Sequence, residues 1–251
     1  MTMPFRRTLL AAFSASFALA LASCGSGGEA VGTTNGEPIA AIAPPAGQQW
    51  SDVVSVTPED GYRMGNPNAP LKLVEYASLT CPHCAHFSEQ AGAKLRDKYV
   101  ASGVVSYELR NQIHDGLDLT MAMLVRCGSP ESYHALSEQV WANQADIVKR
   151  IQANSNAVNA AMKQADQTKR YTAIADAGGL TDFFAARGIA RDQAATCLAK
   201  PGFAEGIVDR SDTQSDELGV DGTPTFFLNG RKLDAQTWEK LEPELQNAGA
   251  R

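Results

Sequence analysis

The sequence lacks any excess of positive charge: 22 Lys and Arg stand against 28 Asp and Glu, a formal charge of −6. Without a basic field to attract phosphates, a nucleic-acid partner is not expected. Cysteine is also scarce, five in 251 residues, far below the density of a small disulfide-stapled toxin. Polar disorder is excluded by the 44% hydrophobic content. Long apolar runs are missing too. The uncharged stretch from Leu9 to Ala22 is about 14 residues, short of the roughly 20 that cross a bilayer as a helix. What remains is a chain long enough for one sizeable core or two small ones.

The odd cysteine count points first to the N-terminus. Arg6 and Arg7 precede the apolar run, which is the pattern of a secretory signal peptide over residues 1–23. The run closes on Leu21-Ala22-Ser23-Cys24, which resembles the lipobox of bacterial lipoproteins, where the cysteine is acylated and becomes the mature N-terminus. Ala20 and Ala22 also form an A-x-A site for ordinary signal peptidase, so both processing routes stay open. Residues 24–49 are mostly Gly, Ala, Pro, Ser and Thr with no apolar period, and they read as a flexible tether. The expected location is the periplasm, with a lipid anchor on Cys24 to a bacterial membrane. Export also permits stable disulfides.

The chemistry lies further on. Leu71 to Ala77 is short, apolar and bounded by Pro70 and Ser78, the profile of a buried strand. Cys81-Pro82-His83-Cys84 follows, and then Phe87, Ala91, Leu95 and Tyr99 recur at helical spacing. A strand thus delivers a C-x-x-C to a helix N-terminus, where unpaired N–H groups and the positive end of the dipole favour a thiolate. Cys81, at the helix start, is the expected nucleophile, and Cys84, one turn inside, its resolving partner. His83 can add positive charge or a hydrogen bond to the thiolate, and Pro82 suits the first helical turn. A purely structural bridge is the bland alternative, but two intervening residues close too small a loop to stabilise much.

The same residues also invite a metal reading. Cys81, His83, Cys84 and His86 fall within six positions, but Ala85 breaks the Cys-x-x-Cys-His of a c-type haem site. Neither His114, His134 nor the separated Cys127 and Cys197 supplies a second pair for structural zinc. No metal or other cofactor is expected beyond the redox-active disulfide itself. A copper-binding lipoprotein using the Cys/His cluster remains the alternative from a different class. His86 reads most simply as a helix-surface residue.

The segment Glu75-Tyr76-Ala77-Ser78-Leu79-Thr80-Cys81-Pro82-His83-Cys84 resembles the active-site strand and helix of the DsbA family of thioredoxin-fold thiol oxidases, a resemblance that extends from about Trp50 to the C-terminus. It implies an α/β, thioredoxin-like fold with an inserted helical subdomain. It also implies a buried acid behind the resolving cysteine, a position that Glu75 matches; a polar residue on a strand edge is the alternative. Downstream, Gly219-Val220-Asp221-Gly222-Thr223-Pro224 leads into Thr225-Phe226-Phe227-Leu228-Asn229-Gly230. The Asn-Gly pair predicts a hairpin between Phe226–Leu228 and Arg231–Leu233. Pro224 resembles the cis-proline facing the active site across the thioredoxin superfamily, which would aim Thr223 at Cys81 and offer backbone groups to an extended substrate. Thr223 departs from the valine of the best-known DsbA oxidase and is similar to some isomerases, so isomerase or reductase action stands beside oxidase action. The implied partners are reduced exported proteins and a DsbB-like membrane protein that reoxidises the site, with the chain acting as a monomer.

Between the two motifs, Val104–Leu109 reads as another strand. A block of about 112–218, rich in Ala, Gln, Leu and Met, reads as helices broken near Gly128-Ser129-Pro130, Gly178-Gly179, Gly188 and Pro201-Gly202. Its Met121, Leu124, Phe183 and Phe184 are core candidates. Cys127 and Cys197 fall in this block. They either form a second disulfide, closing a loop of about 70 residues worth roughly 4 kcal/mol at most, or remain two separate buried thiols. Near the C-terminus, Asp234 is a candidate cap for a last helix carrying Trp238, Leu241 and Leu245, which Pro243 should bend or shorten. The stretch from Trp50 to Val56 could add a sheet edge. The folded domain is expected over residues 50–251, without space for a separate dimerisation domain.

Overall fold

The computed structural model describes residues 36–251. The signal peptide over 1–23 and the acylation site at Cys24 lie outside the described residues. In chain order the elements are strands β1 (Val54–Val56), β2 (Tyr62–Met64) and β3 (Leu71–Ala77), helix α1 (Pro82–Lys94), and strand β4 (Val105–Asn111). Helices α2 (Gly116–Val125), α3 (Tyr133–Ala142), α4 (Gln144–Ala153), α5 (Ser155–Met162), α6 (Gln167–Ala177), α7 (Leu180–Ala185), α8 (Arg191–Leu198) and α9 (Phe203–Leu218) follow. Strands β5 (Thr225–Leu228) and β6 (Arg231–Lys232) and helix α10 (Trp238–Asn247) complete the chain. Helix α1 runs on into a wider turn over Leu95–Val100.

The sheet has the order β1-β2-β4-β3-β5-β6. β3 lies parallel to β4, with Glu75 opposite Leu109, and antiparallel to β5, with Glu75 opposite Phe226. β3 is thus a central strand, which is why its sequence is apolar almost throughout. α1 and α10 cover one face, where Phe87, Ala91, Leu95 and Tyr99 meet Leu73, Phe226, Trp238, Leu241 and Leu245 in one buried cluster. The β5–β6 turn at Asn229 and Gly230 has positive φ at both residues, 50° and 80°. That is the conformation an Asn-Gly hairpin turn requires.

The helical block forms a second core around α2, where Leu119 and every residue from Met121 to Val125 are buried. Met121, Leu124, Phe183 and Phe184 all sit in it. Cys127 follows the end of α2, and Cys197 lies in the last turn of α8; the two are joined as a disulfide. Arg126 ties this block to the sheet. It stacks over the Tyr62 and Tyr133 rings, which are themselves 3.6 Å apart, and it pairs with Asp60 at 2.9 Å.

Two expectations need correction. The tether read over residues 24–49 does not hold for its described part. Gly36 and Ile39 donate their N–H groups to the carbonyls of Asn247 and Gly249, Ile42 donates to Ser102, and the Trp50 indole donates to Ile42. Gly103, with φ of 73°, makes room for this passage, since a Cβ there would lie 2.5 Å from the Ile42 carbonyl oxygen. Backbone pairing leaves no apolar period, so composition suggested looseness where the chain is pinned. The last helix begins at Trp238 with Thr237, not Asp234, at its N-cap, and it continues through Pro243.

Candidate active site

Cys81 is the N-cap residue of α1, with extended backbone (φ −76°, ψ 121°), and Pro82 opens the helix. No side chain caps this end, so the first-turn N–H groups point at the Cys81 sulfur. Both Cys81 and Cys84 are free thiols, the first 6% exposed and the second fully buried. Across from them the Thr223–Pro224 peptide is cis, and the Cys81 Sγ sits 3.3 Å from the Thr223 carbonyl oxygen. The hairpin predicted from Asn-Gly is what carries Pro224 to this place, because β5 is paired to β3, the strand that leads to the cysteines.

The two thiols differ sharply. The Cys84 thiol, hydrogen-bonded to Cys81, brings the Cys81 pKa down to about 5; burial opposes this, and the Thr223 side chain and the N–H groups of Cys84 and His83 add to it. Cys84 is pushed far above the thiol range by burial, then by Cys81 and by the negative charge of Glu75. One sulfur is therefore held as a thiolate and the other as a thiol. The His83 ring is exposed and forms no hydrogen bond to Cys81, and its contribution comes from its backbone N–H.

Glu75 is 1% exposed on the central strand. Its Oε2 accepts a 2.5 Å hydrogen bond from the Tyr107 hydroxyl, while Oε1 has no partner. Burial raises its pKa to about 8, against the lowering by Tyr107, with a further rise from Cys81. The strand-edge alternative does not describe this residue.

The helical block supplies residues that sequence reasoning missed. The loop of Ser78, Leu79 and Thr80 carries Cys81, and three helices hold it. Asp118 of α2 accepts the Leu79 N–H at 2.9 Å, Trp141 of α3 donates to the Ser78 carbonyl at 3.0 Å, and Gln144 of α4 donates to the Leu79 carbonyl at 3.2 Å. Asp118 is fully buried and also accepts the His114 N–H at 3.0 Å. His114 in turn places its ring 3.4 Å from the Thr223 hydroxyl. Its partners lie 39 and 4 residues away, and nothing in the local pattern distinguishes Asp118 from an ordinary first-turn acid. His86 projects outward, 61% exposed, beside Glu89. Among the described residues, no three His, Cys, Asp or Glu side chains converge as a metal-holding group.

Comparison with known proteins places this geometry. A thioredoxin family model matches residues 57–247. A crystal structure of protein-disulfide isomerase from Novosphingobium aromaticivorans is 31% identical, covers 73% of this chain and 94% of that one, and superposes with a TM-score of 0.68. The α-DsbA1 of Wolbachia pipientis shares the fold at a TM-score of 0.59 and 23% identity, over 76% of this chain and 90% of that one. A Rickettsia typhi protein named as a protein-disulfide oxidoreductase is 28% identical over 74% of this chain. The match spans only 60% of that relative's length. With the family model matching most of the described residues, the chain belongs to the thioredoxin family.

Proposed function

We propose that the protein is a thiol:disulfide oxidoreductase that introduces disulfides into exported proteins. The observation carrying this reading is the pairing of a thiolate-forming Cys81, which keeps 6% exposure, with a fully buried, protonated Cys84 under a cis-proline loop. A substrate thiolate attacks Sγ of Cys81 in the oxidised site, a mixed disulfide forms, and the Cys81–Cys84 bond breaks. Cys84 leaves as a thiolate and takes a proton from Glu75, which at a pKa of about 8 holds one at neutral pH. A second substrate thiolate attacks the substrate sulfur of the mixed disulfide, and Cys81 departs as a stable thiolate. Two electrons have passed from the substrate dithiol to the site. A low-pKa leaving thiol favours this direction. Thr223 and Pro224 offer backbone groups to the substrate chain.

Reoxidation by a DsbB-like membrane partner, a periplasmic location with a lipid anchor on Cys24, and the use of no cofactor besides the disulfide belong to the same reading. Isomerase action is the second reading, favoured by Thr223 before the cis-proline and by the name of the Novosphingobium relative. Equilibration of Cys81 and Cys84 with glutathione separates the directions. A potential nearer about −120 mV than about −270 mV is expected of an oxidase, and one at or below about −270 mV overturns that direction.

A further inference from the structure

The mechanism above leaves a proton to be exchanged between a fully enclosed carboxyl group and solvent, and the fold contains a route for it. Behind Glu75, between α1, β4 and α3, lies a cavity of about 20 Å³, room for a single water. Glu75, Ser88, Tyr107, His134 and Glu138 are polar residues of its lining, set among apolar side chains such as Phe87 and Leu109. Glu75 Oε1 is buried without a hydrogen-bond partner. His134 is buried, its Nε2 engaged with the Tyr62 carbonyl at 3.0 Å. Burial brings its pKa down to about 4, so the ring is neutral and its other nitrogen is an acceptor. These side chains are the polar groups that a water there could meet.

The outer end of the cavity is open to relay. Glu138 lines both this cavity and a wide groove between α1 and α3–α4 that begins at Pro82 and includes Ser88, Gly92 and Arg96. Its side chain is 35% exposed, and Arg96 Nη1 holds it at 3.2 Å. The charged and titratable groups facing the Glu75–Glu138 pair are therefore Cys81 and Cys84 from α1, Tyr107 from β4, His134 from α3, and Arg96 and Asp97 from the turn after α1.

We propose that Glu75 exchanges its proton with solvent through one water in this cavity, with Glu138, supplied by the helical block, as the outward relay. When substrate reduces the site, Glu75 gives a proton to the departing Cys84 and regains one from solvent by way of Glu138. When the site is reoxidised, Glu75 first releases its proton outward through Glu138, and its carboxylate then takes the Cys84 proton as that sulfur attacks the Cys81 mixed disulfide, which leaves the acid protonated for the next round.

The inference rests on Cys84 being the resolving thiol, and the test keeps the two ideas apart. Reduced full-length protein is mixed with oxidised glutathione, and the Cys81–glutathione adduct is quenched with acid over time between pH 5 and 8. Glu138→Gln should slow decay of the adduct about tenfold near pH 6.5 while its formation rate stays at the parent's, and millimolar imidazole should restore the decay. Gly92→Leu, which places a side chain between Ser88 and Glu138, should slow decay without rescue by imidazole. Decay in Glu138→Gln within twofold of the parent at every pH overturns the relay, whatever Gly92→Leu does. A parent that never forms or never resolves the adduct instead overturns the redox reading on which it rests.

Discussion

The molecule holds two cysteine pairs, and the difference between them shows how placement decides chemistry. Cys81 and Cys84 are separated by two residues at the N-terminal end of α1, where unpaired N–H groups stabilise negative sulfur. Cys127 and Cys197 are 70 residues apart, and both sit at the C-terminal ends of their helices, where the dipole disfavours a thiolate. The first pair faces a cis-proline loop and has a buried acid behind it. The second joins α2 to α8 within a packed helical core. One pair is arranged to exchange, the other to close a long loop.

The largest effect should come from exchanging the roles. Cys81→Ser should abolish turnover of a reduced test protein, a loss of about 10³-fold or more. Joint replacement of Cys127 and Cys197 by Ser should leave turnover within about threefold yet lower unfolding stability by up to roughly 4 kcal/mol, read by urea titration. If the double variant loses turnover as completely as Cys81→Ser, the division of labour between the pairs is wrong.

The acid behind the first pair sharpens the contrast through pH. Glu75 in the folded chain titrates near 8, far above its ordinary 4.5, so between those values the folded state binds more protons than the unfolded state and stability falls as pH rises. Glu75→Gln removes that slope. At pH 7 the variant should be more stable than the parent by about 3 kcal/mol, with the gain vanishing near pH 4. A gain independent of pH would show that the carboxyl is not buried as described.

The smallest effect should belong to His83. Cys81 titrates near 5, with the His83 backbone N–H among its lesser supports, so His83→Ala should move the thiolate absorbance midpoint by less than about one unit. A larger rise would restore the imidazole to the role that the motif suggested.

How much of this was legible in the sequence follows from range. The C-x-x-C, its strand and the Asn-Gly hairpin are local patterns, each set by neighbouring residues, and they sit where the spacing indicated. The cis-proline emerged only by resemblance, since no local rule places Thr223 opposite Cys81. Asp118, Trp141, Gln144 and Glu138 were illegible because their partners lie on other elements. The pinned segment from Gly36 to Ile42 was misread because it docks by backbone hydrogen bonds, which leave no mark on side-chain composition.

The grip of Asp118 on Leu79 has one more consequence. Loop amides ordinarily trade their protons with water soonest, because nothing shields them. Leu79 is 1% exposed and its amide is closed off by a carboxylate with no exposure at all, so the loop two residues before the nucleophile has the stiffness of a core. Cys81 is mounted like a tool in a vice, and the yielding that exchange demands must come from the chain that visits it.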